Sequence, residues 1–256
     1  MPVEGLKQRL QSGALSVGSW ISLGHPAIAE IMARAGFDFL VIDLEHSVIS
    51  IREAGDLIRV IDLCGVPVLV RTTSNDANQI KRVMDAGAQG VIVPMIKSRA
   101  EAEAAVGAVY YPSRGRRGVG LSRAQAYGVG FDRYCEWLEQ SAVVIAQIEH
   151  IDAVADAESI LTVDGIDAYI VGPYDLSASM GLRGQLDHAK VKEAVERVEV
   201  IGRKIIKPGG VHLVEPDLAQ LRKYIDLGFR FIAYSVDFRM LDHACRAGLR
   251  VARGES

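Results

Sequence analysis

The sequence predicts a (β/α)8 TIM barrel, one domain over residues 1–256, and three observations predict it. Strand-like runs alternate with amphipathic stretches, strand then helix, eight times without a linker. The runs are apolar throughout rather than at every second position, as in a parallel sheet covered on its outer side by helices. The length of 256 residues matches the roughly 250 that such a barrel uses.

The elements follow in order. Strand one covers about Ser16–Ser22, with helix Ala27–Ala35. Strand two is Phe37–Asp43, with helix Ile51–Leu63; strand three is Val66–Arg71, with helix Ala77–Ala86. Strand four is Gly90–Met95, with helix Arg99–Val109. Strand five is Val143–Ile148, with helix Ala153–Leu161; strand six is Asp167–Val171, with helix Lys190–Gly202. Strand seven is Lys204–Ile206, with helix Pro216–Ile225; strand eight is Phe229–Tyr234, with a last helix near Met240–Val251. Glycine ends several helices, in Ala35-Gly36-Phe37, Cys64-Gly65-Val66, Ala86-Gly87-Ala88 and Leu227-Gly228-Phe229. There it can take the left-handed conformation that closes a helix before the next strand. A Gly-x-Gly-x-x-Gly turn after a strand is missing, which argues against a dinucleotide-binding sheet.

One connection breaks the rhythm. An inserted loop and helix occupy about residues 110–141, with the helix at Phe131–Glu139 and Arg114, Arg116 and Arg117 among glycines. An insertion this long is usually functional, so these arginines read either as a solvated loop or as one facing an anion or a second subunit.

Composition narrows the function classes. A formal charge of −3 gives no reason to expect nucleic acid or an anionic membrane as a partner. No stretch approaches the roughly 18 apolar residues of a membrane span, and the start, Met1 to Arg9, lacks a leader pattern. Cys64, Cys135 and Cys245 form neither a disulfide framework nor a zinc cluster, which points to a reducing cytoplasm. Cys64 and Cys245 fall in helical patterns and read as buried thiols.

Barrel chemistry sits at the C-terminal ends of the strands. Strand five runs into Gln147-Ile148-Glu149-His150 and strand six into Gly172-Pro173-Tyr174-Asp175. Neighbouring strands lie about 4.8 Å apart, so Glu149 and Asp175 can share one cation. Strand two ends Asp43-Leu44-Glu45-His46 and strand three at Arg71. There is no nucleophile elbow, phosphate loop or zinc-type histidine pair. Oxygen ligands suit magnesium, manganese or cobalt, and two protein ligands leave room for a chelating substrate. An α-keto acid fits, since its ketone and carboxylate oxygens close a five-membered chelate that favours an enolate. Arg71 can hydrogen-bond the enolate oxygen, backbone N–H groups after Gly172 can meet the carboxylate, and His46 can move a hydroxyl proton with Asp43 fixing its tautomer.

Residues of about 15–240 resemble the metal-dependent class II pyruvate aldolases of the HpcH/HpaI family, in the phosphoenolpyruvate/pyruvate barrel superfamily. The likeness is carried by Phe39-Leu-Val-Ile-Asp-Leu-Glu-His46, Val70-Arg71 with Asn75-Asp76, Gln79 to Ala88, Val93-Pro94-Met95, Arg117-Gly-Val-Gly120, Gln147-Ile-Glu149 and Gly172-Pro-Tyr-Asp-Leu-Ser177. The family includes 4-hydroxy-2-oxoheptanedioate and 2-dehydro-3-deoxyglucarate aldolases. The resemblance implies a lyase that reversibly cleaves 4-hydroxy-2-keto acids to pyruvate and an aldehyde through a metal-stabilised enolate. It implies Glu149 and Asp175 as metal ligands and Arg71 as the pyruvate arginine. It implies His46 as acid–base residue with Asp43 as its partner, Gln147, Gly172, Pro173 and Asp175 near the keto acid, and Asp85 at a subunit boundary near the site. A homo-hexamer, a dimer of trimers or trimer of dimers, is likewise implied. The sequence departs from many members in having Leu44 before Glu45 where they have glycine.

Other readings stand beside these. Glu149 and Asp175 also read as helix-start acids, Arg71 as a structural partner of Asp43 or Glu45, and His46 as a loop histidine. His150 should point away from Glu149. His25 and His212 lie at the right face with weaker support, and Lys207 could form a Schiff base with pyruvate. An acyl-CoA hydroxy-acid lyase of malyl- or citramalyl-CoA type and a non-catalytic keto-acid-binding protein remain as alternatives.

Overall fold

Eight parallel strands close into a barrel in chain order, and the last pairs with the first, in the computed structural model, which describes residues 5–254. They are β1 (Ser16–Ile21), β2 (Phe39–Asp43), β3 (Val68–Arg71), β4 (Gly90–Val93), β5 (Val143–Ile148), β6 (Ala168–Val171), β7 (Gly209–Leu213) and β8 (Phe231–Val236). The helices are α1 (Leu6–Ser12), α2 (Pro26–Arg34), α3 (Ile51–Leu63), α4 (Ala77–Ala86), α5 (Arg99–Val109), α6 (Phe131–Ser141), α7 (Ile151–Ala155), α8 (Ala157–Leu161), α9 (Pro173–Ser179), α10 (Ala189–Lys204), α11 (Leu218–Asp226) and α12 (Asp237–Arg253). The expected (β/α)8 barrel is therefore present. Residues 1–4, on which part of the leader reading rests, lie outside the described residues. Among the described residues no helix is long and apolar enough to cross a membrane.

Two apolar layers follow from strand alternation. One set of side chains fills the barrel: Trp20, Phe39, Val41, Leu69, Ile92, Val143, Ile145, Ala168, Ile170, Phe231 and Ala233. Phe39 and Phe231 stack there at 4.6 Å, and Gly18 leaves room for the Phe39 ring. The intervening residues, such as Leu40, Ile42, Val70, Val91 and Val144, pack outward against the helices. Full burial of one such chain contributes on the order of 2 kcal/mol. The inward alternation continues past the apolar layers to Asp43 after Val41, Arg71 after Leu69, Gln147 and Glu149 after Ile145, and His212 after Gly210. The fold thus collects its polar inward residues at one mouth of the barrel.

The other mouth is plugged by α1, which the strand–helix reading did not include. Leu6 and Leu10 join the interior cluster. Lys7 is buried, and its Nζ donates to Ala142 O at 2.9 Å and pairs with Asp167 at 3.0 Å.

The seventh strand corrects the sequence reading. Residues Lys204–Ile206, expected as that strand, instead end α10, and Ile206 turns left-handed at φ 57° with 89% exposure. The strand is Gly209–Leu213, where a Cβ on Gly209 would come within 2.6 Å of the Tyr169 hydroxyl and one on Gly210 within 2.8 Å of Ile170. Glycine is needed there for close approach, a tertiary demand that its low strand propensity conceals. Lys207 consequently sits at the plugged end, where its Nζ donates to Ile166 O, and a Schiff base at the functional mouth is excluded.

The insertion is not a solvated loop throughout. Arg117 is buried, with its guanidinium 4.2 Å from the Tyr111 ring centre and a 2.7 Å hydrogen bond to the Tyr134 hydroxyl. Arg114 lies over the Tyr110 ring at 3.8 Å and pairs with Glu139. Cys245 is exposed rather than buried, while Cys64 is partly buried; all three thiols are free.

Candidate active site

A cavity of about 320 Å³ opens at the C-terminal ends of the strands. Its walls hold Trp20, His46, Arg71, Gln147, Glu149, Ile170, Gly172, Pro173, Tyr174, Asp175, His212 and Val214. Seven residues expected from the sequence meet here: His46, Arg71, Gln147, Glu149, Gly172, Pro173 and Asp175.

Glu149 is buried at 2% exposure and held from two sides. Gln147 Nε2 donates to its Oε2, and the backbone N–H of Met95 donates to its Oε1 at 2.8 Å. Met95 takes a left-handed φ of 55° at the end of β4, a conformation that costs a side-chain-bearing residue about 1–2 kcal/mol. Gly172 completes the seat. A Cβ there would lie 2.5 Å from Glu149 Oε2 and 2.9 Å from its Cβ. Gly172→Ala is therefore expected to displace the Glu149 carboxylate and weaken divalent-cation binding by about 10-fold or more, measured by titration calorimetry. Unchanged affinity would mean that the seat tolerates a methyl group.

Arg71 is fixed by three contacts. Its Nε and an Nη donate to Asp43 at 2.9 and 2.7 Å, its other Nη lies 3.3 Å from Glu45, and its guanidinium rests 4.3 Å from the centre of the Trp20 ring. Strand register places Asp43 directly beside Arg71. The Asp43 carboxylate braces Arg71 and accepts the backbone N–H groups of Glu45 and His46; among the described residues it makes no hydrogen bond with the His46 ring. Glu45 stands nearest that ring, with Oε2 3.9 Å from His46 Nε2. The His46 side chain is 62% exposed at the rim.

The structural reading of Arg71 as a partner of Asp43 and Glu45 is thus realised, and Arg71 also lines the cavity. His150 and His25 cap α7 and α2, each accepting a backbone N–H at Nδ1. His212 lines the cavity. Asp85 does not. It sits on α4 with Oδ1 3.9 Å from Arg117 Nε, and burial raises its pKa. Trp20 escaped sequence reading, although its place two residues after Gly18 on β1 puts it on the inward side.

The charges are unbalanced. Asp43, Glu45, Glu149 and Asp175 act on one another around a single guanidinium. Burial raises the Glu149 pKa, with Asp175 adding to the shift. Glu45 is pushed up to about 7, first by burial and then by Glu149, Asp43 and Asp175 against the opposing pull of Arg71.

That surplus of negative charge fits a cation. Carboxylate oxygens suit hard divalent ions. Among the described residues no group of three or more His, Cys, Asp or Glu is arranged to hold a metal. Of the carboxylates, Glu149 and Asp175 are the two that line this cavity.

A stability prediction follows for the metal-free protein. Glu45 titrates near 7 when folded and near 4.5 otherwise. The folded form holds the extra proton, so this contribution is intact below about pH 4.5 and is lost as pH rises through about 7. We expect the chelated protein to lose roughly 5 °C in Tm between about pH 5 and 8, and Glu45→Gln or added divalent cation to flatten the slope. Equal slopes in chelated wild type and Glu45→Gln would refute the assignment.

The HpcH/HpaI aldolase/citrate lyase family model matches residues 16–244. The hydroxypyruvate/pyruvate aldolase of Pseudomonas aeruginosa is 38% identical over 249 residues, covering 96% of this chain and 91% of that one. The 4-hydroxy-2-oxo-heptane-1,7-dioate aldolase of Salmonella dublin is 37% identical over 244 residues, covering 94% and 91%. A crystal structure of a HpcH/HpaI aldolase/citrate lyase family protein from Burkholderia cenocepacia superposes with a TM-score of 0.90 at 34% identity, covering 97% and 98%. With its barrel, its strand-end carboxylates and these matches along nearly its whole length, the chain belongs to the HpcH/HpaI aldolase/citrate lyase family.

Proposed function

We propose that this protein is a divalent-metal-dependent aldolase that cleaves 4-hydroxy-2-keto acids reversibly to pyruvate and an aldehyde. The observation that carries the reading is the meeting of Arg71, Glu149 and Asp175, from three different strand ends, in one cavity. The pyruvate aldolase names of relatives 37–38% identical support it.

Glu149 and Asp175 would hold the cation, magnesium, manganese or cobalt. When bound, it supplies Lewis acidity at the keto acid's ketone oxygen. Arg71 hydrogen-bonds that oxygen, where negative charge grows as the C3–C4 bond breaks. Asp43 and Trp20 keep Arg71 still, so little reorganisation accompanies the reaction. His46, at the rim and in touch with solvent, takes the C4 hydroxyl proton directly or through water while Glu45 faces its ring. The C4 fragment leaves as the aldehyde. The electron pair stays on the pyruvate enolate, which is protonated at C3. Gln147 orients Glu149, and Gly172 and Pro173 line the keto-acid side. Asp85, beside the buried Arg117, lies at a boundary between subunits of a homo-hexamer. The free thiols accord with a reducing cytoplasm.

Pyruvate release from a panel of 4-hydroxy-2-keto acids tests the reading. Exhaustive chelation should abolish release and a divalent cation should restore it; turnover that survives chelation overturns the mechanism. Cleavage of malyl-CoA in place of the keto acids would favour the acyl-CoA lyase. Tight pyruvate binding without exchange of its methyl protons into heavy water would favour a keto-acid sensor.

A further inference from the structure

Trp20 and His212 face inward near Arg71 and line the same cavity. Each holds a polar atom that nothing meets. The indole Nε1 of Trp20 and the imidazole Nε2 of His212 are buried without a hydrogen-bond partner among the described residues. Buried polar side-chain atoms are paired in the large majority of cases, so two orphans on one wall need an account. The rings lie 5.0 Å apart, tilted by 38°.

The chemistry of the pair is specific. The backbone of Ser235 favours a proton on the His212 ring. Since Nε2 is the orphan, we assign that proton to Nδ1, which leaves a lone pair on Nε2. Burial and the Arg71 guanidinium hold the His212 pKa down to about 4, so the ring is neutral near pH 7. The indole nitrogen, in contrast, only donates. A ketone or carboxylate could satisfy Trp20 but not His212, and an ammonium the reverse. A methyl group satisfies neither. A hydroxyl donates and accepts, and so answers both. His212 is only half-buried, and its ring torsion is soft, so Nε2 can turn toward a ligand in the cavity. Arg71 lies against the Trp20 ring, which places this wall beside the keto-acid position rather than at a distant rim.

We propose that Trp20 and His212 form a hydroxyl-recognising subsite, so that the enzyme selects substrates bearing a hydroxyl group beyond the keto-acid chelate. The inference rests on the aldolase reading above. The hydroxyl has two possible sources, a hydroxylated keto acid in place of pyruvate or a hydroxylated aldehyde as acceptor.

Two isosteric pairs separate them: hydroxypyruvate against 2-oxobutanoate as donor, and glycolaldehyde against propanal as acceptor to pyruvate. In each pair a methyl group replaces the hydroxyl. The full chain, loaded with magnesium or manganese, should favour the hydroxylated member of one pair by about 10-fold or more in kcat/KM. The pair that discriminates identifies the source. His212→Leu should bring that ratio to within about threefold of one, Trp20→Phe should lower it, and His212→Gln, which keeps an acceptor, should retain part of it. Calorimetric titration of the same four compounds onto the loaded protein, with the aldehydes added after pyruvate, reads the preference without turnover. Absence of turnover with every pair would defeat the aldolase reading, and the binding ratios would then decide the subsite. Wild-type ratios near one in both pairs, or a preference that survives His212→Leu, would overturn the subsite while leaving the aldolase intact.

Discussion

Arg71→Ala lowers kcat for retro-aldol cleavage by about 10²–10³-fold with saturating cation, the range for losing one preorganised donor to a developing oxyanion. The expectation comes from how firmly the guanidinium is held. Asp43 takes two of its donors in parallel, Glu45 stands 3.3 Å from a third nitrogen, and Trp20 supports its face. A side chain restrained on three sides loses little freedom when substrate arrives, so its hydrogen bond acts almost fully in the transition state. Arg71→Lys should recover little, because an ammonium cannot reproduce the two-point bond to Asp43. Cation affinity should not fall in either variant, since removing a positive charge from among four carboxylates favours a cation. Steady-state kinetics with parallel calorimetry check both halves. A kcat within threefold of wild type would assign Arg71 to architecture alone, and a loss confined to cation affinity would place its effect on the metal instead.

The same bracing shows what sequence could and could not reveal. Strand ends were legible because apolar runs stop where inward residues turn polar, as at Asp43, Arg71 and Gln147. Two residues on one strand share a face, so Gln147 and Glu149 could be paired before any coordinates. Interactions across strands were not legible. The sequence pairs Asp43 with its neighbour His46, while β2–β3 register also sets it beside Arg71, where it accepts two charge-assisted bonds. The strand at Gly209–Leu213 was hidden because its glycines answer to the rings of Tyr169 and Phe231, which come from other strands. Trp20 carries no signal of its own within an apolar run. Only the assembled barrel shows its ring under Arg71 and beside His212. Met95 carries no side-chain signal, since its contribution to Glu149 is a backbone N–H aimed by a left-handed turn.

Glu149→Gln should pull two measurements in opposite directions. Divalent-cation affinity should weaken by about 100-fold or more, since an anionic ligand at the centre of the site becomes a neutral amide. The stability of the chelated protein should rise. In the metal-free form the Glu149 charge is buried at 2% exposure, and burial together with Asp175 already lifts its pKa. A glutamine of the same shape removes that cost and keeps an oxygen for the Met95 N–H, while the Gln147 amide turns to offer its own oxygen to the new NH2, so a Tm gain of a few degrees, roughly 1 kcal/mol, is expected. Functional sites often hold a charge at the expense of the fold, and the cation offsets it when bound. A glutamate serving only to tie β4 to β5 would behave otherwise. Its replacement would lower the Tm of the chelated protein and leave the cation-induced rise in Tm unchanged. Thermal melts of wild type and Glu149→Gln, with and without divalent cation, therefore distinguish a ligand from a strut: a variant less stable when chelated, yet still stabilised by the ion as the wild type is, would remove Glu149 from the metal site and the proposed chemistry with it.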